Sequence, residues 1–229
     1  MVLLLGVDDA GRGPVIGKMV LAGCLIDNET EKELKELGVK DSKQLTQKRR
    51  EFLEKTIKEK AIDFHVVSIS PEEIDEKGKE GIKLNEVEGI AAAEIINKLN
   101  SVKNTSNTAS AKIKVILDCP STNRNSWRDY VKMKIENLSN LEILCEHKAD
   151  RDYVVVSAAS ILAKCERERH MDELKAKYGK EIGSGYSSDP VTKKFLAKNL
   201  KKHNNKGIFR KSWKTWKKAS GDSGQKKLA

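Results

Sequence analysis

The chain has 229 residues, 38% of them hydrophobic and 34% charged. That is enough for one large domain, or one domain with a small appendage, and it excludes a chain without a core. Lys and Arg total 44 against 34 Asp and Glu, a formal net charge of +10, and so basic a balance favours a polyanionic partner such as nucleic acid.

The elements follow in chain order. Residues 2–8 open with the apolar run Val2–Leu5 and read as a buried strand ending in the acids Asp8 and Asp9. The run is too short for a signal peptide or a membrane span, so a soluble cytoplasmic protein with no membrane partner is expected. Residues 17–26 read as a second strand. A tight Gly13-Pro14 connection makes the pair hairpin-like and antiparallel. Residues 29–38 suit a short helix. Thr46 suits the cap of a helix to about residue 60, with Phe52, Leu53 and Ile57 on one face.

Residues 62–69 read as a third strand. Ser70 then caps a helix with Pro71 at its first position. Leu84, Val87, Ala91, Ile95 and Leu99 recur at helical spacing, so 83–99 is an amphipathic helix. Residues 100–112, rich in Ser, Thr and Asn, suit a mobile surface loop. A fourth strand over 113–118 again ends in an acid, Asp118. A helix follows at about 126–138, a fifth strand at 141–145 and a long helix at 152–170. The rest is helical and basic, with eleven Lys or Arg and no acid from Pro190 to Gly221. This order predicts an α/β fold with a mixed sheet flanked by helices. The cysteines Cys24, Cys119, Cys145 and Cys165 form no CxxC pair and fit no zinc spacing, so they read as small buried residues in a reducing compartment.

Phosphodiester hydrolysis near neutral pH needs an activated water and relief of charge on the leaving oxygen, which two divalent cations supply together. Hard cations such as Mg²⁺ prefer carboxylates and water. The candidates are Asp8, Asp9, Asp118 and Asp150. On a regular strand Asp8 and Asp9 face opposite sides. Asp150 also suits the cap of the long helix. The glycines of Gly11-Arg12-Gly13 allow a nucleic-acid backbone to approach main-chain N–H groups, and Arg12 adds a phosphate contact. Lys43 offers another such contact, and Tyr186, in Gly183-Ser184-Gly185-Tyr186, suits stacking on a base or sugar. Trp213 and Trp216, one helical turn apart, read as anchors of a helix on the core.

Asp8-Asp9-Ala10-Gly11-Arg12-Gly13, Lys40-Asp41-Ser42-Lys43, Asp118 with Ser121-Thr122, His147-Lys148-Ala149-Asp150, Val155–Ile161 and Gly183–Tyr186 resemble, in this order, ribonuclease HII of the archaeal branch. The resemblance spans roughly residues 3–190 and implies an RNase H-like fold with a helical basic C-terminal part. It implies an endoribonuclease that cuts RNA in RNA–DNA hybrids and at ribonucleotides embedded in duplex DNA, using Mg²⁺ or Mn²⁺ and acting as a monomer. Products would carry 5′-phosphate and 3′-hydroxyl ends. Asp8, Asp9, Asp118 and Asp150 match the family's metal-binding acids. Gly11, Arg12, Gly13 and Tyr186 match the reader of the ribose 2′-hydroxyl, and Lys43 matches a phosphate contact.

Two positions depart from the family pattern. Asp9 stands where Glu is usual, shortening the reach by roughly 1.5 Å. Ser187 stands where Pro often follows the tyrosine, which would loosen the Tyr186 loop. The expected organisation is one domain over 1–218, with a catalytic part to about 171, a helical part over 172–218 and a disordered tail over 219–229. The residues alone also admit a nucleic-acid-binding module weakened by Asp9, or a different metal-dependent phosphoryl-transfer enzyme.

Overall fold

The structure, a computed structural model, describes residues 2–39, 45–102 and 111–221. In chain order the elements are β1 (Val2–Ala10), β2 (Met19–Ile26), α1 (Asn28–Glu36), α2 (Gln47–Lys60), β3 (Asp63–Ile69), α3 (Pro71–Lys79), α4 (Leu84–Val102), β4 (Lys112–Asp118), α5 (Arg124–Lys132), β5 (Leu141–Glu146), α6 (Ala149–Asp152), α7 (Val154–Tyr178), α8 (Pro190–His203) and α9 (Lys214–Ser220). Of the loop expected over 100–112, residues 100–102 instead end α4 and Lys112 opens β4, and of the tail expected over 219–229, residues 219 and 220 instead end α9; residues 103–110 and 222–229 lie outside the described residues. Two compact units result.

The first unit comprises Met1–Ala10, Val20–Val67 and Leu84–Glu166. Its sheet runs in the order β3-β2-β1-β4-β5. β1 is antiparallel to β2 and parallel to β4, and β4 is parallel to β5. Strand periodicity divides the side chains between two faces. Leu4, Ala10, Ala22, Cys24 and Ile26 pack with Leu34 of α1, Leu53 and Ile57 of α2 and Val155–Cys165 of α7. Burying such side chains stabilises by roughly 1.5–3 kcal/mol for each Leu or Ile. Gly6 lets α7 close on the sheet, because a Cβ there would lie 2.4 Å from the Val155 carbonyl. On the other face a Cβ on Gly23 would collide with Ile95 and crowd Leu99, so the glycine lets α4 lie close to the sheet beside Leu5. All four cysteines are buried thiols.

The second unit comprises Gly11–Met19, Ser68–Lys83 and Arg167–Ala229. Its core joins Val15, Ile16, Met171, Leu174, Ile182, Phe195, Leu196, Ile208, Phe209 and Trp216. Trp216 is buried, as its spacing predicts, and Trp213 packs beside it half-buried. Ile16 forms a bridge with Phe209, while Gly17 N–H donates to the Ile208 carbonyl and Arg210 N–H to that of Val15.

Helix caps follow the sequence. Thr46 accepts from Arg49 N–H, and Ser70 forms a reciprocal capping box with Glu73. Four expectations change. The β1–β2 connection is not a tight turn; residues 11–18 leave the sheet and build part of the second unit. Phe52 is 51% exposed and lies under the Arg49 guanidinium, because it stands one residue, about 100° of helix, from buried Leu53. α5 stops at Lys132, where the Asn97 amide takes the Lys134 carbonyl and the Glu136 N–H, and Asn100 donates to the Asn137 carbonyl. These side chains capture backbone groups that a longer α5 would need. The long helix expected over 152–170 begins at Val154 and runs on to Tyr178, and Tyr153 separates it from the short α6: the Ser157 hydroxyl donates to the Asp150 carbonyl, the group a continuous helix would offer to Val154 N–H.

Among the described residues no helix is long and apolar enough to cross a membrane.

Candidate active site

β1 and β4 run parallel with Val7 opposite Leu117, so Asp8 and Asp118 come level at the same end of the sheet. Asp8 is 7% exposed. Its carboxylate accepts from Asp9 N–H at 2.8 Å and from the Ser160 hydroxyl of α7. Burial holds this carboxyl well above the usual carboxylate range, and the Asp9 and Asp118 carboxylates push it further up. Asp8, Asp9 and Asp118 line one cavity of about 10 Å³, the size of a single water, with Glu88 and Ala92 of α4 and Trp127 of α5.

Asp118 is half-buried and accepts from Ala149 N–H at 2.8 Å. That N–H is aimed by Lys148, whose φ of 60° is left-handed, a conformation uncommon outside glycine. Asp150 follows, 4% exposed, in the first turn of α6. It caps neither helix: Lys148 holds the cap position of α6, and α7 begins only at Val154.

Among the described residues no three acidic, histidine or cysteine side chains already stand as a ready ligand set. Asp8 and Asp118 are turned instead toward main-chain N–H groups. Four carboxyl groups around one small cavity, Asp8, Asp9, Glu88 and Asp118, nevertheless fit a hard divalent cation, which would relieve their mutual repulsion.

Two participants escaped the sequence reading. Glu88 is 2% exposed and lines the same cavity. It falls in the helical stripe Leu84, Ala91, Ile95, so an acid on an apolar face was the available signal. Ser160 is fully buried on α7 beneath Asp8; a serine among the apolar residues of a long helix was its signal.

The second unit brings Gly11, Arg12, Gly13 and Tyr186 together. Tyr186 is 38% exposed, and a Cβ on Gly13 would touch its ring at 3.7 Å. The Arg167 guanidinium sits 4.8 Å from the ring centroid and donates to the Ser184 carbonyl. Gly11 has φ +80°, and a Cβ there would lie 2.6 Å from the Arg167 side chain. The Gly185 carbonyl accepts from Val15 and Ile16 N–H. Asp189 ties the Tyr186 loop by accepting from Ser184 N–H, the Ser184 hydroxyl and Val191 N–H, and these bonds lower its pKa to about 2. The loop thus has anchors that do not depend on a proline at Ser187. Lys43 lies outside the described residues.

The family model for ribonuclease HII matches residues 5–216. A ribonuclease HII of Methanococcus maripaludis is 46% identical over 218 residues, covering 94% of this chain and 86% of the relative. One from Methanocaldococcus jannaschii is 42% identical over 237 residues, covering 99% and 98%. The crystal structure of ribonuclease H2 from Pyrococcus horikoshii OT3 superposes with a TM-score of 0.82 at 35% identity, covering 96% of this chain and 98% of that one. Sequence and fold agree that the chain belongs to the ribonuclease HII family, the divalent-metal-dependent endonucleases that hydrolyse the RNA of RNA–DNA hybrids.

Proposed function

We propose that Asp8, Asp9, Asp118 and Asp150 hold two divalent cations, Mg²⁺ or Mn²⁺, and that the enzyme also nicks duplex DNA on the 5′ side of a single embedded ribonucleotide. The observation that carries this reading is the convergence of Asp8, Asp9 and Asp118 on one cavity, where burial and then the two neighbouring carboxylates raise the cost of ionising Asp8. Such a cluster is costly unless a cation joins it. When bound, the two ions would activate a water and relieve charge on the leaving oxygen, giving 5′-phosphate and 3′-hydroxyl ends.

The chain's own residues do the rest. Ser160 and Asp9 N–H fix the Asp8 carboxylate, and Ala149 N–H fixes that of Asp118. Gly11, Arg12, Gly13 and Tyr186 recognise the ribose 2′-hydroxyl, the group that distinguishes RNA from DNA. Lys43 and the exposed lysines of α8 and α9 bind phosphates and make affinity fall with salt.

The test is a DNA duplex carrying one ribonucleotide, offered with Mg²⁺, Mn²⁺ or chelator. Metal-dependent nicking 5′ to the ribonucleotide is expected. No cutting under either metal overturns the reading, and equal cutting of an all-DNA duplex assigns a less selective phosphodiesterase.

A further inference from the structure

Arg210 is fully buried, and its guanidinium spends its donors on the loop after β1. Nη2 donates to the Gly11 carbonyl at 2.6 Å and Nη1 to the Arg12 carbonyl at 2.8 Å. Nε and Nη2 donate to the Gly17 carbonyl at 3.1 and 2.9 Å. Its face lies 5.0 Å from the Trp213 ring centroid, and Trp213 Nε1 donates to the Gly13 carbonyl at 3.1 Å. Asp75 holds the next residues by accepting from Lys211 N–H, Ser212 N–H and the Ser212 hydroxyl.

A buried guanidinium is costly unless hydrogen-bonded, and a planar fork fixes the directions of its partners. The consequence lies in the peptide units. The chain has no cis peptide among the described residues, and in a trans unit the carbonyl and the N–H point opposite ways. Drawing the Gly11 and Arg12 carbonyls onto Arg210 therefore turns Arg12 N–H and Gly13 N–H away from it. The next unit contributes no donor, because Pro14 has no N–H. Two successive N–H groups aimed together suit an oxygen acceptor such as a phosphate or a ribose hydroxyl.

We infer that Arg210, assisted by Trp213, is a positioning residue for substrate recognition: by gathering the carbonyls of Gly11, Arg12 and Gly13 it aims the loop's N–H groups at the ribose and adjoining phosphate. The inference rests on the reading that this loop meets the substrate. Lysine at 210 offers a point charge in place of a fork, and phenylalanine at 213 keeps the ring but loses the donor to Gly13. Misplacing a recognition element by about 1 Å costs up to roughly 10²-fold.

The experiment compares Arg210→Lys, Trp213→Phe and Gly13→Ala, whose added Cβ makes only ordinary contact with the Tyr186 ring but obstructs approach to the loop's N–H groups. It measures KM and kcat on the single-ribonucleotide duplex and on a continuous hybrid, with Mn²⁺ titration by calorimetry and thermal unfolding alongside. For Arg210→Lys we expect KM to rise about 10-fold, more for the single ribonucleotide than for the hybrid, with Mn²⁺ affinity unchanged. Trp213→Phe should move the same ratio in the same direction by less, and it decides the matter if Arg210→Lys does not fold. A lowered Tm with KM and substrate preference unchanged, well below that Tm, overturns the inference. If Gly13→Ala also leaves KM and preference unchanged, the loop does not read the substrate and both readings fall. If Gly13→Ala raises KM while the other two variants do not, only the role of Arg210 falls.

Discussion

The carboxylate cavity of the first unit and the Gly11–Gly13 loop of the second are held by opposite electrostatics. Around the cavity, burial and then the neighbouring Asp9 and Asp118 carboxylates raise the cost of ionising Asp8, and the Ser160 hydroxyl and Asp9 N–H offset only part of it. In the loop, one buried cation gathers the carbonyls and an indole N–H takes the next. The first arrangement favours the arrival of positive charge. The second is organised before any ligand comes. A metal-dependent hydrolase gains from both: its cation site must attract ions and its recognition element must not rearrange.

Asp8→Asn should break this contrast most severely. It removes a carboxylate from the cavity, and cleavage should fall by on the order of 10³-fold or more. Much of the salt-sensitive hybrid binding should survive, because lysines supply it. The metal-free variant should melt above the parent. The Asp8 pKa is raised in the folded state, so the folded protein holds this proton more tightly than the unfolded chain. Stability from this group is complete below the unfolded carboxylate value of about 3.9 and is lost as pH rises through the folded value. The Tm difference should therefore widen with pH and narrow again when Mg²⁺ or Mn²⁺ is added to the parent. A variant that melts below the parent at neutral pH without metal would show that the carboxylates are not in conflict.

A smaller effect is expected from Asp9→Glu. Ligand distances at metal sites are held to about ±0.2 Å, and the longer side chain restores roughly 1.5 Å of reach. Cleavage should match or exceed the parent by a few-fold, with saturation at lower metal concentration. A large loss would show that the cavity, already narrowed by Glu88 and Trp127, is built for Asp.

The smallest effect belongs to the loop side. Asp189→Ala removes the acceptor for Ser184 and Val191, freeing the Tyr186 loop and the start of α8. The folded pKa of about 2 lies below the unfolded one. This contribution is present above about pH 3.9 and is lost as pH falls toward 2. The variant should melt slightly lower at neutral pH, with the deficit disappearing in acid, and discrimination against all-DNA duplex should weaken. An unchanged melting curve across that range would remove Asp189 as an anchor.

The centre of the sheet was legible because β1 and β2 carry long buried apolar runs, and the acids at Asp8, Asp9 and Asp118 mark where the apolar stretches of β1 and β4 end. Thr46 and Ser70 announced their helices through local chemistry. What stayed hidden depends on residues distant in the chain. Asn97 and Asn100 end α5 from another helix, and Ser157 interrupts α6 and α7 by taking one carbonyl. Glu88 and Ser160 join the cavity only once α4 and α7 have packed on the sheet. Arg210 looked like one cation in a basic run, and nothing local distinguishes it from its exposed lysine neighbours.

Arg210 also sets an order of events during synthesis. It lies 199 residues downstream of Gly11, whose carbonyl it holds. A ribosome that has already released the strands bearing Asp8, Asp9 and Asp118 has yet to make the side chain that arranges the loop. A polypeptide cut short before position 210 carries the acids without that arrangement, so a premature stop separates the cleavage groups from the element that directs them.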